Sequence, residues 1–274
     1  MKIALFFSGD YIRRYEIEEL TNLLKTKHEF IFFYFKKKQN TEISKKNNFL
    51  NSFFKNGLFS LILLEQKFAE IIKHKNSFYR KRKRLLDKIK LKNVIKNYDK
   101  YEKFNFKTKK NKGRHIFDRS TINKLNNRNI NLIIFLGFNK LIDSKMINLV
   151  KNGILSFHTA DTNKYRGRPS AFYEFLNNEK FGAVTLQRLS IEIDQGEIIS
   201  IKKKNISKCK SYDETHYRML KIKKNMLVDG LNKIKLKKTF FKPQNSVLNR
   251  EKDSRKFFLV MRCILKTIIK RYFF

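Results

Sequence analysis

The first third of the chain alternates between solid apolar runs and helical spacing. Residues 2–7 (KIALFF) read as a buried strand, followed by the turn Ser8-Gly9-Asp10. Residues 13–26 place Tyr15, Ile17, Leu20, Leu23 and Leu24 at helical intervals, and Phe30–Phe35 (FIFFYF) is a second strand. A strand, a helix and a strand in this order predict a parallel β-α-β opening. Leu58–Leu64 is apolar, and its type stays open. Ile71, Ile72, Phe78, Leu85, Leu86, Ile89, Leu91, Val94 and Ile95 predict helix up to residue 98. Residues 99–115 read as a mobile connector.

The pattern sharpens again at residue 116. A short helix after Ser120 leads into the strand 131–137 (NLIIFLG), which ends in Gly. Residues 143–151 predict a helix capped by Asp143 or Ser144 and stopped by Gly153. Ile154–His158 is the next strand, and 169–178 is a helix with Pro169 in its first turn. Residues 182–190 alternate like a strand, and Glu197–Ile201 starts another. Beyond residue 206 the spacing is helical. Tyr217, Leu220, Met226, Leu227, Leu231 and Ile234 predict one helix over Asp213–Leu236, closed by Pro243. In 255–274, Phe258, Met261, Leu265, Ile268 and Tyr272 line one side, while Arg262, Lys266 and Lys270 form a basic stripe. The expected class is α/β, with a Rossmann-like, mostly parallel sheet. Residues 1–205 form the catalytic domain, interrupted by a basic insertion at 73–115, and 206–274 form a basic helical extension.

Composition changes this picture in one respect. The chain has 274 residues, 63 Lys+Arg against 24 Asp+Glu, and a net charge of +39. At 41% hydrophobic and 14% aromatic it is too apolar for a disordered basic tail. Two Cys cannot make a disulfide framework, and Cys209 and Cys263 lack partners at metal-ligand spacing. No metal is therefore expected. No apolar run reaches ~18 residues, and the start MKIALFFSGD turns polar too soon for a secretory leader. A cytoplasmic protein is the expectation. The charge suggests nucleic acid or an anionic membrane, but A/T-rich codons produce the same Lys, Asn, Ile and Phe excess. Residues 131–200 carry eight Lys+Arg and seven Asp+Glu, so nearly all of the net charge lies elsewhere. Five of the nine Gly fall in this neutral block, which marks it as the place for chemistry.

Ser156 and His158 are two apart on a strand and share a face near its C-terminal end, where open α/β sheets place ligands. A polar loop (159–168) follows, and Ile193-Asp194-Gln195-Gly196-Glu197 puts a carboxylate in a tight turn between strands. A hydroxyl, an imidazole and a carboxylate can thus converge. No dinucleotide fingerprint follows the first strand, and no phosphate-binding Gly-rich loop with a Lys occurs anywhere.

The ordered run extends from Gly137-Phe138 through Gly153 to Ser156-Phe157-His158. It continues with Lys164-Tyr165-Arg166-Gly167-Arg168-Pro169, Gly182-Ala183-Val184-Thr185 and Asp194-Gln195-Gly196. This run resembles the formyltransferase family over roughly residues 118–201. The family motif is Asn-x-His, an aromatic-Arg-Gly loop, a Gly-x-Thr strand and an Asp-x-Gly turn. The resemblance implies the formyltransferase fold and 10-formyltetrahydrofolate as formyl donor. It also implies a small, phosphorylated amine acceptor, and the Tyr-Arg-Gly-Arg-Pro stretch looks most like members that modify amino-sugar nucleotides. By the same resemblance, Ser156, His158 and Asp194 are the catalytic residues. Gly137, Phe138, Asn139, Leu141, Ile142, Glu192 and Ile193 would face the folate. Lys164, Tyr165, Arg166 and Arg168 would face the acceptor, although Arg166 can equally be a brace for the loop.

Ser156 departs from the motif, since the family has Asn there. A donor of this kind contributes about 2.7–4 kcal/mol to the transition state. Two other functions stay open. One is formylation of methionyl-tRNA, against which stands the helical C-terminal region, where such enzymes carry a barrel. The other is a catalytically silent module that binds nucleic acid or membrane. The stretch 255–274 is then either a helix packed on the catalytic domain or an interfacial helix on an anionic bilayer.

Overall fold

The computed structural model describes residues 1–36, 57–72, 78–138, 140–243, 246–249 and 256–272. The chain opens with β1 (Lys2–Phe7), β2 (Tyr11–Arg13), a 3-10 turn (Arg14–Glu16), α1 (Ile17–Leu24) and β3 (Glu29–Phe35). Next come α2 (Phe59–Ile72), α3 (Phe78–Leu86), β4 (Lys88–Lys90), β5 (Glu102–Phe106) and a hairpin of β6 (Thr108–Asn111) and β7 (Arg114–Phe117). The middle of the chain holds α4 (Arg119–Asn127), β8 (Leu132–Leu136), the single turn α5 (Ser144–Ile147) and β9 (Ile154–His158). After these run β10 (Tyr165–Gly167), α6 (Phe172–Leu176), β11 (Phe181–Arg188) and β12 (Glu197–Asn205). The chain closes with α7 (Tyr212–Leu220), a 3-10 turn (Lys221–Lys223), α8 (Met226–Lys235), β13 (Val247–Asn249) and α9 (Phe257–Tyr272).

Seven strands form one sheet in the order β12-β11-β9-β8-β1-β3-β5. The five strands from β9 to β5 are parallel, while β11 runs against β9 and against β12. β8, and β1 after Lys2, are apolar throughout because both of their faces are covered. Ile3, Leu5 and Phe7 pack on the side of α1 and α8, and Ala4 and Phe6 on the side of α4. The chain leaves β1 toward β3 and β5 but leaves β8 toward β9 and β11. Strand order therefore reverses between β1 and β8, and open sheets bind ligands beyond the carboxyl ends at such a point. A third apolar cluster (Ile62, Phe172, Phe175, Tyr212, Met219, Val260, Cys263) joins α2, α6, α7 and α9.

Four expectations are corrected. Helix does not reach residue 98: α3 ends at Leu86, and β4 pairs with β2 instead. The 99–115 stretch is no connector, because β5 is the edge strand of the main sheet and β6–β7 is a hairpin. Phe106 is buried against Phe6, and Phe104 packs on Phe33. Edge strands tolerate the lysines that hid this alternation. Pro169 precedes the helix, since Ala171 has φ 64 and the right-handed turns of α6 start only at Phe172. Residues 213–236 form two helices, because Asn225 is left-handed (φ 62) and the Glu19 carboxylate accepts from Met226 and Leu227 N–H at the start of α8 (3.2 and 2.8 Å).

The basic segment is partly structural. Arg82 of α3 forms an ion pair with the fully buried Asp213 of α7 (2.7 Å). Beside that layer lies Glu174 on α6, buried, with Oε1 lacking a hydrogen-bond partner among the described residues. Burial pushes its carboxyl up to about 8, helped by the nearby charges of Glu179 and Asp161. A raised folded-state value means the folded chain holds this proton more tightly than the unfolded one. Its stability contribution is full below pH ~4.5 and is lost as pH rises through ~8. Glu174→Gln is expected to remove that part of the alkaline decline, read as the wild-type-minus-variant difference in Tm between pH 5 and pH 9.

Candidate active site

β9 brings Ser156 and His158 to the reversal point, and the turn after β11 brings Asp194 to them. His158 is buried, with Nδ1 3.2 Å from Asp194 Oδ2 and Nε2 3.2 Å from the Tyr165 carbonyl. Both ring nitrogens thus face acceptors, which fixes the ring plane. Asp194 has φ 49, and its carboxylate is fully engaged. Oδ2 also accepts from Gly167 N–H (2.9 Å), and Oδ1 accepts from Gln187 Nε2 (2.7 Å). The turn depends on Gly196, where a Cβ would lie 1.7 Å from the Arg188 carbonyl oxygen.

Sequence reasoning missed Gln187 and Thr185. Gln187 sits opposite Ser156 in the β9–β11 register and Thr185 opposite His158, so all four share one face. Gln187 is 1% exposed, and its Oε1 has no hydrogen-bond partner among the described residues. Thr185 Oγ1 donates to the Ala160 carbonyl (2.8 Å), which fixes the loop after His158. The signal was available: two polar residues fill the buried face of an otherwise apolar strand.

A cavity of about 780 Å³ opens over these residues. One wall holds Gly137, Phe138, Leu141, Ile142, Glu192 and Ile193, six of the seven residues that the resemblance would set against the folate. Asn139 lies outside the described residues. The Phe138 side chain itself is in the aromatic core, against Phe135 and Phe106. The hairpin that sequence reading took for a connector staples this wall. Arg114 donates to the carbonyls of Ile142 (3.0 Å) and Ile191 (2.6 Å), and His115 N–H donates to Leu141 (2.7 Å).

The expected acceptor residues divide. Arg168 lines the cavity. Lys164 and Tyr165 are bound to Glu179 (2.7 and 2.8 Å), and Arg166 to Gln195 (2.7 Å) and the Ser246 carbonyl (3.3 Å). These three brace the loop and are not among the cavity's lining residues. The far wall is instead made by Arg13, Tyr15, Glu16, His216 and Lys223. Lys223 Nζ lies over the rings of Tyr15 (4.5 Å) and Phe157 (4.4 Å), and burial pulls its amine down to about 8. Glu16 is buried, with Oε2 unpaired among the described residues. Burial holds His216 down to about 3. These groups come from turns and helices whose periodicity gives no hint of a site.

Residues 69–231, more than half of the chain, match the family model described as formyl transferase. The chain belongs to the formyl transferase family. Among solved structures, the fold is similar to a 4-N formyltransferase from Francisella tularensis (16% identity, TM-score 0.56, 97% of this chain and 87% of that one). It is also similar to a sugar N-formyltransferase from Shewanella sp FDAARGOS_354 (12% identity, TM-score 0.56, with the same coverage). A third similar structure is WlaRD, a sugar 3N-formyl transferase determined with dTDP and 5-N-formyl-THF (15% identity, TM-score 0.55, 100% of this chain and 81% of that one). At these identities the likeness shows the fold. The methionyl-tRNA formyltransferase of Thermotoga neapolitana is 28% identical over 110 residues, 40% of this chain and 35% of that protein. That of Borrelia garinii subsp. bavariensis is 27% identical over 123 residues, 43% and 38% respectively. The match thus spans little more than a third of the length of these curated relatives. In this member of the formyl transferase family, the position expected to carry Asn holds Ser156, directly opposite Gln187.

Proposed function

We propose that the chain transfers a formyl group from 10-formyltetrahydrofolate to the amine of a small phosphorylated acceptor, and that the acceptor is an amino-sugar nucleotide. The observation that carries this reading is the His158–Asp194 pair, fixed in the lining of the cavity of a formyl transferase family member. When bound, the folate would supply a formyl carbon open to attack by an amine: the new C–N bond forms, the bond to the folate nitrogen breaks, and the proton lost by the amine goes to that nitrogen, leaving a formamide and tetrahydrofolate.

The residues present fit that group. Leu141 and Ile191, both substantially exposed, give an apolar wall, the backbone of 137–138 and 140–142 gives polar groups, and the exposed Lys110 and Lys140 can meet carboxylates. His158 Nε2–H, which the Tyr165 carbonyl holds at 3.2 Å, is shared with the formyl oxygen and donates to it as negative charge grows there. Asp194 holds the ring in place for that donation. Gln187 does two jobs: Nε2 pins Asp194, and the unpaired Oε1 accepts an N–H of the attacking amine. Ser156 supplies a shorter donor than a carboxamide. Arg168 and Arg13 face the phosphate groups of the acceptor.

Arg114→Ala frees both loops of the folate wall at once. It is expected to raise KM for the folate roughly tenfold with kcat little changed, as measured by steady-state kinetics at saturating acceptor.

The curated relatives favour a second reading, methionyl-tRNA as acceptor. Among the described residues past 206, β13 is the single strand and the other regular elements are helices. A thermal-shift series with 5-formyltetrahydrofolate, dTDP- and UDP-linked amino sugars and methionyl-tRNA separates the two. Stabilisation by folate and by a sugar nucleotide supports the first reading. Stabilisation by folate and tRNA alone supports the second.

A further inference from the structure

The second large concavity lies away from the site, along α9. One face of this helix is buried through Val260, Cys263 and Thr267, which pack toward α2 and α6. The stripe that sequence reading picked out is a different face. Phe257 (64% exposed), Phe258 (72%), Leu265 (53%), Ile268 (37%) and Ile269 (47%) face outward. At 3.6 residues per turn they fall within about 120° of the helix circumference. Arg262, Lys266 and Lys270 follow along one border of that stripe. Lys266 Nζ is anchored on the carbonyls of Phe175 and Leu176, so the head of this lysine is fixed at the helix end of α6. Part of the stripe, with Leu176 and Cys209, lines a groove of about 890 Å³, and Lys208 and Lys210 stand exposed on its other bank. None of the described lining residues is acidic.

We infer that this face docks on an anionic lipid bilayer, with α9 lying in the plane of the interface. Three features on the surface select that occupant. The apolar stripe is continuous and bordered by cations, the arrangement an interfacial helix needs. A second copy of the chain, paired through the same face, would set lysines against lysines in a protein that already carries +39. The helix does not cross the bilayer, as no helix among the described residues is long and apolar enough to do so. A negative surface answers the basic border and hydrocarbon answers the stripe. The basic border supplies the preference for anionic lipid, and the phenylalanines and isoleucines supply the insertion.

The test uses the full chain with unilamellar vesicles of phosphatidylcholine, with or without one third phosphatidylglycerol. The chain contains no Trp, so Phe258→Trp installs a single reporter at an exposed position. The expected result is a blue shift of its emission with anionic vesicles and none with neutral ones. Cosedimentation of the wild-type chain should follow the same lipid preference. The double variant Leu265→Glu/Ile269→Glu should lower partition at least tenfold while its circular dichroism and Tm stay those of the wild type. No blue shift with anionic vesicles overturns the proposal. So does cosedimentation that the double variant leaves unchanged, because that is adhesion by general charge. A concentration-dependent dimer lost in the double variant, without vesicle binding, assigns the face to a second copy and also overturns it.

Discussion

Replacing His158 with alanine is expected to lower formyl transfer roughly 10³-fold, because the change removes the donor to the developing oxyanion. The effect should appear in kcat, with KM for the folate near its wild-type value, since the ring contributes little to folate binding. Folding should survive. His158 is held by two hydrogen-bonding contacts at the edge of a cavity rather than inside an apolar cluster. Asp194→Asn separates positioning from donation. It keeps the acceptor for Gly167 N–H but weakens the pairing with the imidazole, so the expected loss is smaller than for His158→Ala. Wild-type turnover in His158→Ala, with a native circular dichroism spectrum, would contradict the mechanism outright.

Gly196→Ala is expected to be the most damaging single methyl in the chain. Its Cβ would meet the Arg188 carbonyl oxygen at 1.7 Å, and backbone cannot swing aside as a flexible side chain can. The turn must open, at a cost of about 3 kcal/mol or more. Asp194 lies two residues away, already at φ 49, so an opened turn carries its carboxylate away from His158, Gly167 and Gln187. Stability and formyl transfer should fall together. By comparison, Gly113→Ala, where a Cβ meets nothing within 4 Å, should cost only the backbone strain of φ +81 and spare the His158–Asp194 pair. Urea denaturation of the two variants, with activity assayed on each, checks the contrast.

These contrasts also show what was readable before any coordinates. β1 and β8 are legible because a strand buried on both faces has to be almost wholly apolar, and no other local force competes with that. Ser156, His158 and Asp194 were legible as a set through their order and spacing between glycines. Their contact at 3.2 Å was not, because it depends on the β9–β11 register and on a left-handed Asp194. The 99–115 stretch reads as a connector for a physical reason. An edge strand and an exposed hairpin bury one face at most, and lysines on the wet face blur a period-two signal. Arg114 therefore looks like one more surface charge, although it ties the loop at Ile142 to the loop at Ile191. Lys223 and Glu16 escaped for another reason. Each lies in a short 3-10 turn, and only the tertiary fold brings the two turns to one cavity. Helical spacing in α9 was read correctly, but periodicity does not say which of two apolar stripes meets the protein. Val260 and Cys263 do so, and Phe258 and Leu265 do not.

The direct measurement incubates the full chain with 10-formyltetrahydrofolate and a panel of dTDP- and UDP-linked amino sugars, with methionyl-tRNA as a parallel substrate, and reads products by mass spectrometry. The predicted result is one added formyl group on a nucleotide-linked amino sugar, dependent on the folate and lost in His158→Ala. Formylation of methionyl-tRNA with every sugar nucleotide untouched, or a formylated sugar produced equally well by His158→Ala, would contradict it.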